Sequence, residues 1–202
     1  DGVRLHLGKR FAYNHNNMQE LEKQLQRAEK IVSKKEGGIL VITEGVFGMS
    51  GDLGNLKKIT GLKKKYDFIF IDCPPSLGLL TINALTAADS LLIPLQCEFF
   101  ALEGLSHLRK TIDRIKEKLN KHIYIEGILL TMYDKRNRIS LEVKDEVKKY
   151  FGKDLLKTII PRNVRISEAP SHGLPVLLYD TNCYGSQAYA SLAAEVIVQE
   201  EN

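Results

Sequence analysis

Residues 66–78 read YDFIFIDCPPSLG. Four apolar residues, Phe68-Ile69-Phe70-Ile71, deliver Asp72 at their carboxyl end, and Pro74-Pro75 then turn the chain away. An unbroken apolar run of this length is the pattern of a strand covered on both faces, as in a parallel sheet. Ligands of open α/β sheets gather at the carboxyl ends of such strands, which makes Asp72 a candidate binding residue, although a strand-end Asp also serves as an ordinary turn cap.

Working outward, ILVIT at 39–43 is a second buried strand, followed by a glycine-punctuated loop at 44–54 and a basic helix at about 55–65. Upstream, Leu21, Leu25, Ala28 and Val32 recur at helical spacing, which predicts a helix from Met18 to about Lys35, capped by Asn16 or Asn17 and stopped by Gly37-Gly38. Residues 3–13, VRLHLGKRFAY, alternate as a short hairpin or two brief strands. Downstream, apolar strands at 90–95, 123–131 and 156–160 alternate with helical patterns at about 101–119 and 139–151. A shorter strand at 176–178 and a closing helix at about 184–199 complete the chain. Strands alternating with helices predict an α/β fold with a mainly parallel sheet flanked by helices.

Composition agrees with a folded chain: 202 residues, 44% hydrophobic and 27% charged, with no repeat and no linker-like tract, so one continuous α/β unit is expected. The net charge of +4 divides unevenly, with 13 Lys/Arg against 7 Asp/Glu in residues 1–66 and 16 against 18 in the remainder. A balance this small is no nucleic-acid signature, and any such argument must rest on local clusters. No run of about 18 apolar residues exists, and the start at Asp1 has neither an initiator Met nor an apolar signal core. The expectation is therefore a fragment that neither spans a membrane nor is secreted. Cys73, Cys97 and Cys183 form no C-x-x-C pair, which fits a reducing cytosol rather than a disulfide framework. The five histidines show no metal spacing, and no G-x-S-x-G pattern marks a nucleophile.

The segment YDFIFIDCPPSLGLLTINALTAADSLLIPLQCEFFALEGL resembles the Walker B and switch region of ParA-type partition ATPases, of the Soj-like, deviant-Walker kind. The likeness continues through EGILLTMYDKRNRIS and KTIIPRNVRISEAPSHGLPVLLYD, covering about residues 66–198. It implies a P-loop-NTPase-like fold of the ParA/MinD type. It also implies that Asp72 holds Mg²⁺ through a water and that Pro74, Pro75 and the residues to Leu80 sense the γ-phosphate. Asp134, Pro161, Arg162 and Asn163 fall where the family walls the adenine. Arg136 and Arg165 match arginines that the family uses for sequence-independent DNA binding, with Lys135, Arg138 and Arg162 beside them. ATP and Mg²⁺ are the implied cofactors; nucleoid DNA, a ParB-like protein and a second copy are the implied partners, in a cytoplasmic, nucleoid-associated setting.

One element of that family is missing from these 202 residues. No G-x-x-x-x-G-K-[ST] pattern occurs: Gly8-Lys9 is followed by Arg10, and Gly152-Lys153 by Asp154. The P-loop strand, its phosphate-cradling amides, its lysine and its Mg²⁺-binding hydroxyl are therefore absent, and nucleotide binding and hydrolysis are expected to be impaired. Without that strand, the Asp72 strand is expected to pair with 39–43 instead.

Residues 1–65 resemble a different family. DGVRLHLGKRFAYNHNNMQELEKQL and GILVITEGVFGMSGDLGNLKKITGLKKKY are similar to a central segment of pyridoxal-phosphate-dependent α-oxoamine synthases, the group of serine palmitoyltransferase and aminoketobutyrate ligase. In that family the next strand ends in an Asp that pairs with the pyridinium nitrogen, and a ring-stacking His follows three residues later. Asp72 stands at the first position but Pro75 at the second, and the family's Schiff-base lysine lies beyond the point where the resemblance stops. PLP is thus not an expected cofactor, and His15, which matches a position near that family's substrate, reads as a surface or capping residue. The two resemblances meet at about 63–67, which suggests a chimera of a 1–65 segment and a 66–202 ParA-like portion. Three functional readings follow: a partitioning protein portion without ATPase activity, a fragment of a PLP-dependent acyltransferase, or a non-catalytic chimera.

Overall fold

The computed structural model describes residues 11, 12, 14, 17–32, 46, 47, 52, 53, 68–73 and 76–200. The hairpin expected at 3–13, the strand at 39–43 with its expected pairing, the helix at 55–65 and the junction at 63–67 lie outside the described residues, apart from residues 11 and 12. The chain divides into two compact units.

One unit holds residues 9–89 and 111–123. Its first helix, α1 (Met18–Val32), begins where Asn17 Oδ1 accepts the Glu20 amide at 3.0 Å, so of the two expected caps Asn17 serves. Leu21 and Leu25, one turn apart, bury against Ala84 of α2 (Leu79–Ala87), with Met18, Ile69, Ile71, Cys73 and Ala87 around them. Each fully buried Leu stabilises by about 1.5–3 kcal/mol. Asn120 closes the far end of α2, its Nδ2 donating to the carbonyls of Leu85 at 3.1 Å and Ala88 at 2.7 Å, which satisfies oxygens the helix cannot. Inside the expected 44–54 loop, β1 (Val46–Phe47) pairs antiparallel with β2 (Asp52–Leu53).

The expected strand at 68–72 is corrected. Residues 68–71 have no regular ladder and Asp72 makes an isolated bridge. Ile69, Ile71 and Cys73 turn inward while Phe68 and Phe70 are exposed, so the run has the twofold alternation of extended chain with one covered face.

The other unit holds 90–110 and 124–202, and contains the sheet. β3 (Ser90–Gln96), β4 (Tyr124–Tyr133) and β5 (Leu155–Pro161) lie in that order, all parallel. The intervening helices are α3 (Ala101–Lys118), whose residues 111–118 belong to the first unit, and α4 (Arg138–Phe151). This is the α/β architecture expected from the alternating pattern. β4 is central, and its 127–130 stretch is buried throughout, as a strand covered on both faces requires.

Two irregularities shape the sheet. Between the pairs Ile128↔Leu155 and Leu130↔Ile159, β5 uses four residues against two in β4, which takes Lys157 and Thr158 off the ladder. Glu195 of α7 (Tyr184–Glu200) accepts both freed amides, at 2.7 and 2.9 Å. Between Leu130↔Ile159 and Tyr133↔Pro161, β4 carries one extra residue, and there Met132 takes φ 52°, a left-handed conformation that costs a non-glycine residue about 1–3 kcal/mol.

After β5 come α5 (Val164–Glu168), a 3₁₀ turn (Ala169–His172) and α6 (Val176–Tyr179). The strand expected at 176–178 is thus a helical turn. Pro175 presets its entry, and the amides of Leu178 and Tyr179 return to the Pro175 carbonyl, so the short apolar VLL run is held locally rather than by a neighbouring strand.

Candidate functional site

The expected site residues fall into the two units. In the first, Asp72 is exposed at the end of the 68–73 segment, and Pro74 and Pro75 lie outside the described residues. Burial and then the charge of Asp72 push the Cys73 thiol up, which keeps it protonated; its Sγ donates to the Ile71 carbonyl at 3.7 Å. Burial also pushes Cys97 up to about 11, so it too is an inert thiol. Among the described residues no group of three or more His, Cys, Asp or Glu could hold a metal. Asp72 thus stands among the described residues as a single exposed carboxylate, with no second acid, His or Cys grouped with it as a metal site.

The second unit gathers the rest at the carboxyl ends of β4 and β5. Arg162 N donates to Tyr133 O at 2.9 Å, which ties the two strand ends together directly before Asp134 and Asn163. Asp134 follows the strained bulge and organises the turn after it. Its Oδ1 accepts from the backbone amide of Arg136 at 3.0 Å and from Arg136 Nε at 3.1 Å, and its Oδ2 accepts from Nη2 at 3.0 Å. These hydrogen bonds, side chain first and backbone second, together with the charges of Arg136 and Arg162, hold the Asp134 carboxyl down to about 2. Asn137 caps α4 by accepting the Ile139 amide at 3.0 Å, and Arg138 pairs with Glu142 one turn on at 2.7 Å.

Across the strand tie, Asn163 repeats the device: its Oδ1 accepts the Arg165 amide at 2.9 Å and starts α5. Arg165 Nη1 donates to Glu168 Oε2 at 2.9 Å and its Nε lies 3.4 Å from Asp180 Oδ2. The Tyr179 hydroxyl donates to the same Glu168 oxygen at 3.2 Å, with His172 stacked on its ring at 4.8 Å. The Glu168 hydrogen bond and charge raise the Arg165 guanidinium above its usual value, so it is charged at every working pH.

Lys135, Arg136 and Arg138 follow β4 and Arg162 and Arg165 follow β5, so all five stand beyond the carboxyl ends of two adjacent strands, and the side chains of Arg136 and Arg138 are 86% and 90% exposed. Asp134, Asn137 and Asn163 work as local organisers. Sequence reasoning missed Glu168, Tyr179 and Asp180; the i,i+3 spacing of Arg165 and Glu168 was the available signal for the first.

The AAA domain family matches residues 15–125, across the 63–67 region. The sporulation initiation inhibitor protein Soj of Bacillus subtilis is 56% identical over 140 residues, 69% of this chain and 55% of that protein. The chromosome partitioning protein ParA of Caulobacter vibrioides is 57% identical over 137 residues, 68% of this chain and 51% of that protein. The chain thus spans about half the length of these relatives. Among solved structures, the cobyrinic acid a,c-diamide synthase of Mycobacterium smegmatis with bound ADP and magnesium superposes with a TM-score of 0.58 at 30% identity, over 73% of this chain and 53% of that one. The cell division ATPase MinD of Pyrococcus furiosus gives 0.58 at 26%, over 70% and 56%.

Proposed function

The chain belongs to the AAA domain family, and from that premise we propose that it is the carboxyl-terminal portion of a ParA-like partition protein which holds DNA by its phosphates without reading sequence. The observation that supports this most is the gathering of Lys135, Arg136, Arg138, Arg162 and Arg165 beyond two adjacent parallel strands whose ends are tied by one hydrogen bond. Long exposed cations on tight turns reach backbone phosphates from many orientations and lack the fixed geometry of base-edge recognition.

In this reading the 202-residue chain does not hydrolyse ATP. Asp72 would supply the Mg²⁺ carboxylate and Pro74 and Pro75 belong to the proposed γ-phosphate switch, but no P-loop lies within this sequence to hold the phosphates. Asp134, Pro161, Arg162 and Asn163 remain the proposed adenine side. The relatives' names support a place in chromosome partitioning; a ParB-like partner, a second copy bound through nucleotide, and a nucleoid-associated location in the cytoplasm follow as proposals from the same premise. Residues 1–65, whichever their origin, contribute scaffold rather than PLP chemistry, since Pro75 occupies the ring-stacking position.

The test is binding of a labelled duplex of arbitrary sequence, followed by anisotropy at low salt. The chain should bind several unrelated duplexes alike, and Arg136→Ala with Arg165→Ala should weaken binding strongly while the remaining cations leave a measurable residue. Undiminished binding by that double variant removes these residues from the DNA site.

A further inference from the structure

The cations at the edge of the sheet are not idle. A guanidinium has five N–H donors. Arg136 commits Nε–H and one Nη2–H to Asp134, and Arg165 commits one Nη1–H to Glu168 and directs Nε–H toward Asp180. A carboxylate gripping a guanidinium by two oxygens, as Asp134 grips Arg136, has the shape and charge of a phosphate edge. Counted together, five cations (Lys135, Arg136, Arg138, Arg162, Arg165) face four partner acids (Asp134, Glu142, Glu168, Asp180), a net of one positive charge. Three of the five cations thus already hold an acid partner as a DNA backbone approaches this edge.

We infer that Asp134 and Glu168 are intrachain stand-ins for the DNA phosphate, occupying Arg136 and Arg165 in the free chain and exchanged for phosphate oxygens on binding, so that these two acids set how tightly the chain holds DNA. The inference rests on the phosphate-binding reading above and adds to it the residues that tune affinity.

Two features make the exchange feasible. In both pairs the arginine is open to water, 86% for Arg136 and 52% for Arg165, with Asp134 and Glu168 at 23% and 39%, and ion pairs with so exposed a guanidinium exchange readily for another anion. Each acid also keeps a second donor after its arginine leaves: the Arg136 backbone amide stays on Asp134 Oδ1, and the Tyr179 hydroxyl stays on Glu168 Oε2. Releasing the arginine therefore orphans neither carboxylate. Asp134 and Glu168 touch no DNA in this scheme and act only through the arginines they hold.

The substitutions Glu168→Gln and Asp134→Asn remove the charge while keeping an oxygen for the Tyr179 hydroxyl and the Arg136 amide. Each should tighten binding to a fluorescein-labelled duplex of arbitrary sequence by about two- to fivefold at low salt, the range released by freeing an exposed ion pair. The gain must depend on the arginine: in an Arg165→Ala background, Glu168→Gln should leave affinity nearly unchanged. A purely structural role for these acids gives the opposite sign, a loss of affinity. Equal or weaker binding by both variants, or the same gain without Arg165, overturns the competition. If the Arg136→Ala, Arg165→Ala variant loses DNA while Glu168→Gln and Asp134→Asn gain nothing, the competition falls and the phosphate-binding reading stands. If that double arginine variant binds like the parent, the reading itself falls and the competition with it.

Discussion

Gly127 sits in the buried middle of β4, and a β-carbon placed on it would lie 2.5 Å from Leu156 Cδ2, 2.6 Å from Cγ and 3.0 Å from Cδ1. Carbon atoms pack at about 3.5–4.0 Å, so Gly127→Ala forces the Leu156 side chain back by about 1 Å. That side chain has little room to yield: it is 4% exposed and forms one cluster with Leu129 and Ile160, ringed by Leu92, Ile166, Ala188 and Leu192. Overpacking of this kind costs about 1–3 kcal/mol, and at about 2–4 °C per kcal/mol for a chain of this size the midpoint should fall by several degrees. Urea unfolding followed by circular dichroism measures the cost, and a double-mutant cycle identifies its cause. Leu156→Ala alone should destabilise by about 2–5 kcal/mol through the cavity it leaves. Combined with Gly127→Ala, the new methyl fills part of that cavity, so the pair should cost less than the sum by about 1 kcal/mol or more. A neutral Gly127→Ala, or strict additivity with Leu156→Ala, would refute the close approach of β4 to β5.

Three further outcomes are expected. Burial pushes the Glu195 carboxyl up, but the hydrogen bonds from Thr158 and Lys157 outweigh it and hold the group below its ordinary 4.5; the stabilisation is thus present above that value and is lost as pH falls below it. Glu195→Gln should accordingly cost about 1 kcal/mol at neutral pH, a figure reduced for solvent screening, and its unfolding should lose less stability than the parent's between neutrality and acid. Gly173 ends the 3₁₀ turn at φ 67°, so Gly173→Ala should destabilise by about 1 kcal/mol, read from the same urea curves. Phosphate release from Mg-ATP, with or without DNA, should be indistinguishable between the chain and Asp72→Ala; turnover abolished by that substitution would show a phosphate loop that the sequence does not reveal.

Sequence periodicity located the elements whose burial is one-sided or complete. Leu21 and Leu25 on α1, the apolar 127–130 run of β4, and Val143 with Val147 on α4 all bury where their spacing places them. It failed where neighbours decide. VLL at 176–178 suits a strand or a helix equally, and the Pro175 carbonyl chose the helix. The 68–71 run reads as doubly buried, yet Phe68 and Phe70 are exposed, because apolar character alone does not say which face is covered. The strand ends carrying Asp134, Arg136 and Arg165 were legible from resemblance. Their grouping through the Arg162–Tyr133 hydrogen bond, the β4 bulge at Met132 and the capture of Arg165 by Glu168 and Asp180 were not, since register and side-chain pairing across turns leave no spacing rule in one sequence.

The central claim is that the chain holds DNA through phosphate contacts made by Arg136 and Arg165. The most direct measurement is the slope of log affinity for a duplex of arbitrary sequence against log salt concentration, taken on the parent chain and on single and double arginine variants. Each phosphate contact contributes about 0.9 to that slope for duplex DNA. The parent should lose affinity steeply as salt rises, each single variant should be shallower by about one, and the double variant by about two. A slope that is unchanged when both arginines are removed would contradict the account.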